Sequence, residues 1–175
     1  MAAMTDSATH SATDSPAASP PFPPQGIGDF LRFCAGEWMS LNSTFALEQP
    51  NASAAGDGDG DEWHSSERGE LVVTYLEPQS ATEAGGLSQG PKGGLQQQHR
   101  FDHDGSYRCG PAQGRWQLWP DGSLEIVVVE NGDERRERLW FTKPNLRLRS
   151  SVTNQADGEP SNASFSSEIR RVSAA

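Results

Sequence analysis

The most regular feature of this 175-residue chain is an alternation of apolar and polar side chains that begins near residue 37 and continues almost to the C-terminus. Alternation with period two is typical of half-buried β-strands. It predicts nine strands, over residues 37–47, 63–76, 94–101, 106–109, 115–119, 124–130, 136–141, 146–154 and 163–172. Before them, Phe30, Leu31 and Cys34 recur at helical spacing and Gly36 ends the segment, which predicts one helix of about two turns.

Turn-forming residues connect the predicted strands as antiparallel neighbours. Asp104-Gly105, Asn131-Gly132 and Pro144-Asn145 favour tight hairpin turns. A meander of many antiparallel strands can remove its exposed edges by closing into a barrel. The sequence therefore predicts an all-β fold, an antiparallel β-barrel with a short N-terminal helix.

Composition indicates that the barrel is a single domain over residues 26–175. Residues 1–25 are mostly Ala, Ser, Thr and Pro, with too few apolar groups to offset the entropy of ordering, so we expect a disordered tail. Two segments of the domain, about 49–61 and 79–94, are predicted to be flexible loops. The Gly-Asp repeat of the first is similar to part of a calcium loop, but it lacks the twelfth-position glutamate, and a flexible hairpin loop is favoured.

Charge and reactive residue types exclude several classes of function. The formal net charge of −10 argues against nucleic acid as a partner, because phosphate binding needs a basic face. No apolar run is long enough to insert into a membrane and no secretory signal is recognisable, so we expect a cytoplasmic protein. The histidines show no metal-ligand spacing, and no metal site is expected. Cys34 is interpreted as a buried small residue and Cys109 as an incidental thiol. These interpretations are favoured over a reactive cysteine at either position.

The stretch from Glu137 to Ser151 has the most unusual charge pattern. It places a carboxylate and several guanidinium groups among strand-forming residues on both sides of a Pro-Asn turn. Arg147, Arg149 and Ser151 share one face of the second strand. Two adjacent arginines suit a ligand with two carboxylates, since each guanidinium can pair with a carboxylate in a bidentate fashion. The alternative is an ion pair between strands on a solvated face.

Two blocks of sequence carry a family resemblance. The hairpin reads Glu-Arg-Leu-Trp-Phe and then Pro-Asn-Leu-Arg-Leu-Arg-Ser-Ser, and residues 163–170 read Ala-Ser-Phe-Ser-Ser-Glu-Ile-Arg. Both blocks, in this order and at this spacing, resemble those of the S-type (S/U clan) phycobiliprotein chromophore lyases. They cover about the last third of the chain. The family's fold is similar to that of lipocalins and fatty-acid-binding proteins, which agrees with the predicted barrel.

The resemblance implies a substrate and an acceptor. The substrate would be an open-chain tetrapyrrole (bilin), either phycocyanobilin or phycoerythrobilin, and no bound cofactor is implied. The chain would attach the bilin by a thioether bond to a cysteine of a phycobiliprotein α or β subunit, in a cyanobacterium-type cell. The alternatives are a non-catalytic bilin chaperone, a partner subunit of a heteromeric lyase, or a generic lipocalin-like carrier. Relatives also make a homodimer, or a heterodimer with a related lyase subunit, worth testing.

The resemblance also implies roles for individual residues. Glu137 matches the family's glutamate, which would meet the pyrrole N–H groups and assist bilin protonation. Arg147 and Arg149 match the paired arginines, which would hold the propionates, and Ser151 would add a smaller hydrogen bond. The candidates for stacking on the conjugated ligand are Trp140, Trp116 and Tyr75, although aromatic residues in barrels more often belong to the core.

The first strand departs from the family pattern, which tends to read Gly-x-Trp-x-Ser-x-Arg-Thr-Thr-His. Asn42 and Phe45 stand in place of the arginine and the histidine. A charged contact and a titratable group are therefore missing, which suits a divergent lyase or a partner subunit with little activity alone. The Gly-x-Trp that ends at Trp38 is also similar to that of lipocalins, where the tryptophan lies beneath a basic residue from near the C-terminus, here Arg170 or Arg171. Plain core packing of Trp38 is the alternative.

Overall fold

A closed β-barrel with a helix at one end forms the fold. The computed structural model describes residues 22–47 and 64–172, and in these residues ten antiparallel strands close into a barrel. The predicted all-β barrel with a short N-terminal helix is confirmed. The predicted loop at 49–61 and most of the predicted N-terminal tail lie outside the described residues.

The elements follow one another as a meander. They are α1 (Ile27–Cys34), β1 (Gly36–Ala46), β2 (His64–Leu76), β3 (Glu83–Pro91), β4 (Gln97–Asp102), β5 (Ser106–Cys109), β6 (Ala112–Leu118), β7 (Leu124–Glu130), β8 (Asp133–Lys143), β9 (Leu146–Asn154) and β10 (Pro160–Arg170). Each strand pairs with its neighbours in sequence, and β1 also pairs with β10. This last pairing removes the open edges that a flat sheet would expose.

Strand β3 corrects the prediction of a flexible loop at 79–94. Its glycines hide the alternation on which strand prediction depends, and they are there because the neighbouring backbone comes close. A Cβ on Gly86 would lie 2.5 Å from the carbonyl oxygen of His99, and one on Gly90 would lie 2.2 Å from that of Leu95. Glycine within a strand often marks such a close approach. The wall of the barrel is therefore continuous where the sequence indicates a loop.

Helix α1 closes one end of the barrel. Phe30, Leu31 and Cys34 are fully buried on its inner side, and the Phe30 ring meets the Phe141 ring edge to face at 5.3 Å. Apolar residues at this spacing give the helix one buried stripe. The single helix within residues 22–47 and 64–172 is too short to cross a membrane.

Trp38 lies at the centre of this closed end. It is fully buried, and its indole N–H donates to the carbonyl oxygen of Cys34 at 2.9 Å. The Arg170 guanidinium lies 4.4 Å from the centre of the Trp38 ring and donates to the carbonyl oxygens of Phe33 and Ala35. The predicted contact between the Gly-x-Trp segment and a C-terminal arginine is confirmed. It ties the last strand to the helix that seals the barrel.

The interior of the barrel has two unlike halves. Inward-facing side chains from β3 to β7 are mostly apolar and buried: Leu87, Phe101, Tyr107, Leu124, Ile126 and Val128. Those from β8, β9, β10 and β1 include many charged or hydrogen-bonding groups: Glu137, Arg147, Arg149, Ser166, Glu168 and Asn42. A ligand inside the barrel would therefore meet an apolar wall on one side and a polar wall on the other.

Candidate functional site

Three ionisable side chains form the centre of the polar wall. Glu137 on β8, Arg149 on β9 and Glu168 on β10 all point inward. Glu137 and Glu168 pair with Ser151 and Arg147, which lie two residues on either side of Arg149 and so share its face. The Arg149 Nη1 atom lies 3.8 Å from Glu137 Oε1, and its Nη2 atom lies 3.2 Å from Glu168 Oε1. Arg149 thus stands between two carboxylates inside the barrel.

Glu137 and Arg149 remain accessible to a ligand. Their side chains are 16% and 17% exposed, whereas that of Glu168 is 3% exposed. The Nε and Nη2 atoms of Arg149 make no hydrogen bond of adequate geometry to any residue that the structure describes. Both atoms are themselves buried, so a carboxylate that enters the barrel pairs with them only if Arg149 or its neighbours move.

Arg147 shares the inward face with Arg149 but lies deeper. Its side chain is fully buried, its Nε donates to Glu168 Oε2 at 2.5 Å, and its guanidinium lies 4.7 Å from the centre of the Trp38 ring. The Cys34 thiol lies beside it, and burial raises the pKa of that thiol. The two arginines therefore share one face, as the strand parity predicts, but Arg147 is buried and Arg149 is partly exposed. A direct contact between Arg147 and a ligand stays a prediction, and only Arg149 is reachable.

Ser151 and Asn42 extend the polar wall toward the other end of the barrel. Ser151 is half-buried and pairs directly with Glu137. The Asn42 side-chain oxygen Oδ1 accepts a 2.6 Å hydrogen bond from the Ser166 hydroxyl, and the Asn42 side-chain Nδ2 donates to Thr44 Oγ1 at 3.1 Å. Where the resemblance leads one to expect a free cation, this chain therefore has a neutral amide that is already hydrogen-bonded.

Trp140 lies on the outer face of the barrel. It is three positions from Glu137 on the same strand, and alternate residues of a strand point to opposite faces. Its ring packs near that of Phe165, with centroids 6.3 Å apart. The prediction that Trp140 stacks on a ligand is therefore not supported for a ligand inside the barrel, because the sheet separates the two.

Trp116 and Tyr75 do belong to the inward face. Both are half-buried and pack against the core, and the Trp116 indole N–H donates to the carbonyl oxygen of Asp102 at 2.9 Å. The Tyr75 hydroxyl has no hydrogen-bond partner among the described residues, and burial raises its pKa. Stacking of these two rings on a ligand stays a prediction.

A histidine and a tyrosine form a hydrogen-bonded pair on the opposite wall. His99 Nδ1 lies 2.6 Å from the Tyr107 hydroxyl oxygen, and both side chains are buried. Burial lowers the pKa of His99 to about 4 and raises the pKa of Tyr107, so both are neutral near pH 7. No motif singles them out in the sequence. The sequence could have indicated this pair only through the alternation of side chains, which puts His99 and Tyr107 on the inner face of two strands joined by the Asp104-Gly105 turn.

No helix of the described residues covers the end of the barrel away from α1. A cavity of about 510 Å³ lies there, and its lining includes Cys109, Gln97, Arg135 and Thr153. Strands β4 and β5 have 6 and 4 residues, whereas β2 has 13. The strands that form the barrel wall beside Cys109 are therefore short.

Known proteins are similar to this chain in both sequence and fold. The family model for CpeS-like proteins matches residues 101–171. The chromophore lyase CpcS/CpeS 1 of Paulinella chromatophora is 42% identical over 155 residues, which are 86% of this chain and 91% of that relative. The chromophore lyase CpcS/CpeS 1 of Synechocystis sp. is 28% identical over 173 residues, covering 82% and 91%.

Among solved structures, the S-type phycobiliprotein lyase CpeS from Guillardia theta is similar. The TM-score is 0.62 at 18% sequence identity, and the match covers 83% of this chain and 93% of that one. At this identity the likeness concerns the fold. It agrees with the closed barrel of ten antiparallel strands and one short helix described above.

Proposed function

This chain belongs to the CpcS/CpeS family of chromophore lyases, and we propose that it binds an open-chain tetrapyrrole inside its barrel and attaches it by a thioether bond to a phycobiliprotein cysteine. The observation that carries the proposal is the partly exposed Arg149, whose hydrogen-bonding capacity is incompletely used, set beside Glu137 within the barrel. A bilin is flat, conjugated and apolar over most of its surface, and it carries two propionates. The apolar and polar walls of this barrel complement those two parts.

Arg149 is the proposed contact for a propionate. The guanidinium would form charge-assisted hydrogen bonds with the carboxylate and so fix how the bilin lies in the barrel. Arg147 supports it from below, because Arg147 holds one oxygen of Glu168 while the other oxygen faces Arg149. Ser151, beside Glu137 on the neighbouring strand, would supply a further hydrogen bond.

Glu137 is the proposed catalytic group. Its carboxylate would accept hydrogen bonds from pyrrole N–H groups and favour the protonated bilin. Positive charge on the bilin makes the ring A ethylidene carbon more electrophilic, so the acceptor's thiol adds to it more readily. General acid–base assistance of this kind is typically worth about 10²- to 10⁴-fold in rate.

The proposed substrates and partners follow from the family. The bilin would be phycocyanobilin or phycoerythrobilin, and the acceptor would be a phycobiliprotein α or β subunit. A homodimer, or a heterodimer with a related subunit, would be the working unit, in the cytoplasm of a cyanobacterium-type cell. The second candidate function is a bilin chaperone without transfer activity. Asn42 favours the chaperone function, because its side chain on β1 is uncharged and already accepts a hydrogen bond from Ser166.

Co-expression with bilin-making enzymes and candidate apo-subunits tests the proposal. A lyase gives an acceptor with an acid-stable colour, whereas a chaperone gives only a coloured lyase whose pigment can be extracted. We expect Glu137→Gln to lower the transfer rate at least about 100-fold while bilin binding is retained. The matched control is Glu134→Gln on the same strand, whose exposed side chain pairs with Arg136. Transfer by Glu137→Gln at the wild-type rate would refute the catalytic role.

A further inference from the structure

Cys109 is the accessible thiol of the described residues. The chain has two cysteines, both free, and Cys34 is fully buried beneath α1. Cys109 is half-buried at the end of β5 and lines the cavity at the open end of the barrel, with Arg135 and Thr153 across from it. A ligand bound in this cavity would lie beside the sulfur.

The neighbours of Cys109 suit a nucleophile. Cys109 pairs directly across the strands with His99, and its sulfur lies 4.0 Å from His99 Nε2. The other ring nitrogen of His99 is held by the Tyr107 hydroxyl at 2.6 Å. In the tautomer whose Nδ1–H donates to the Tyr107 oxygen, the Nε2 lone pair faces the thiol. Cys109 as nucleophile, His99 as base and Tyr107 as the group that orients the base thus form a chain of contacts. Distances in such chains are often longer when no ligand is bound.

This cluster faces the same interior as the polar wall. The charges of Glu137 and Arg149 both act on the titration of His99, which places them within electrostatic reach across the barrel. A bilin held by Arg149 and Glu137 would therefore lie between that wall and Cys109. Holding an electrophile beside a nucleophile raises the effective concentration of one for the other by orders of magnitude.

We propose that Cys109 is a covalent holding site for the bilin, an inference that rests on the proposed function. The sulfur bonds to the ring A ethylidene carbon, the electron pair of that double bond moves into the conjugated system, and the thiol proton passes through His99 to the tetrapyrrole. No electron is gained or lost overall. Reversal of the addition releases the bilin for the acceptor's cysteine, so the lyase retains its substrate until an acceptor arrives.

Intact-mass spectrometry on the full chain with phycocyanobilin tests the holding site. The absorbance spectrum records bilin binding before the sample is denatured in acid and its mass is measured. We expect a mass increase of one bilin that maps to the Cys109 peptide. Cys109→Ser is expected to bind bilin without a mass increase, and the matched control Cys34→Ala is expected to retain the adduct. His99→Gln is expected to slow adduct formation about 100-fold.

The outcomes separate this inference from the proposed function. Bilin binding by the wild-type chain without any mass increase overturns the holding site and leaves the proposed function standing. An adduct that persists in Cys109→Ser also overturns it. Absence of bilin binding in the wild-type chain overturns both proposals.

Discussion

The Arg147 guanidinium lies 4.7 Å from the centre of the Trp38 ring while its Nε donates to Glu168. This contact joins the closed end of the barrel to the polar wall, because the second oxygen of Glu168 faces Arg149 at 3.2 Å. Stacking on the indole and pairing with the carboxylate compensate part of the cost of burying this cation, whose Nη1 and Nη2 atoms make no hydrogen bond to any described residue. The same cation would be costly without those partners.

Replacement of Arg147 by leucine is expected to lower the free energy of unfolding by about 3–5 kcal/mol, because it leaves the buried Glu168 without its closest partner. Urea denaturation measures the change. The control is Arg171→Leu, which removes a half-exposed pair with Glu70 and should cost less than about 1 kcal/mol. Equal losses in the two variants would contradict a structural role for Arg147.

Arg149→Ala is expected to raise the dissociation constant for phycocyanobilin about 10- to 100-fold, because it removes charge-assisted hydrogen bonds worth about 1.5–3 kcal/mol. Absorbance titration of the purified chain measures the affinity. Arg136→Ala is the matched control, since Arg136 lies on the outer face and pairs with Glu125. If both variants bind phycocyanobilin equally well, Arg149 is not the propionate contact.

Gly86→Ala is expected to destabilise the chain by about 1–3 kcal/mol, because the new methyl group would overlap the carbonyl oxygen of His99. Gly69→Ala is the control, since a Cβ there meets no atom within 4 Å, and we expect a change within about 0.5 kcal/mol. Thermal or urea unfolding compares the two. A loss in Gly69→Ala as large as that in Gly86→Ala would show that the close approach of β3 and β4 is not responsible.

The stability of the chain is expected to fall between about pH 6.5 and pH 4 because of His99. Burial lowers its folded-state pKa from 6.5 to about 4. In this window the unfolded chain therefore binds a proton that the folded chain does not, which favours unfolding as the pH falls. Above pH 6.5 the neutral His99 costs the chain no stability. By about pH 4 the free energy of unfolding has fallen by roughly 3 kcal/mol on account of this residue.

Urea unfolding across this range, compared with His99→Gln, measures the effect. The variant should show a shallower loss of stability toward pH 4, while His103→Gln, which changes an exposed side chain, should keep the wild-type slope. Identical slopes in all three chains would mean that His99 is protonated in the folded state over this range.

Local patterns predicted most strands well. The bounds of β5, β7 and β9 coincide with their predicted ranges, because alternation and turn residues are written into a few consecutive positions. Strand β3 was not predictable in this way. Its glycines respond to the backbone of β4, a partner that becomes adjacent only when the sheet forms.

The sequence by itself determined the fold class, the family and the parity of the site residues. Parity follows from the local strand backbone, so Arg147, Arg149 and Ser151 share a face in any such strand. Only the tertiary structure decided their depth, because exposure depends on what packs around them. It buries Arg147 between Trp38 and Glu168, leaves Arg149 reachable, and brings Cys109 to His99 from a neighbouring strand.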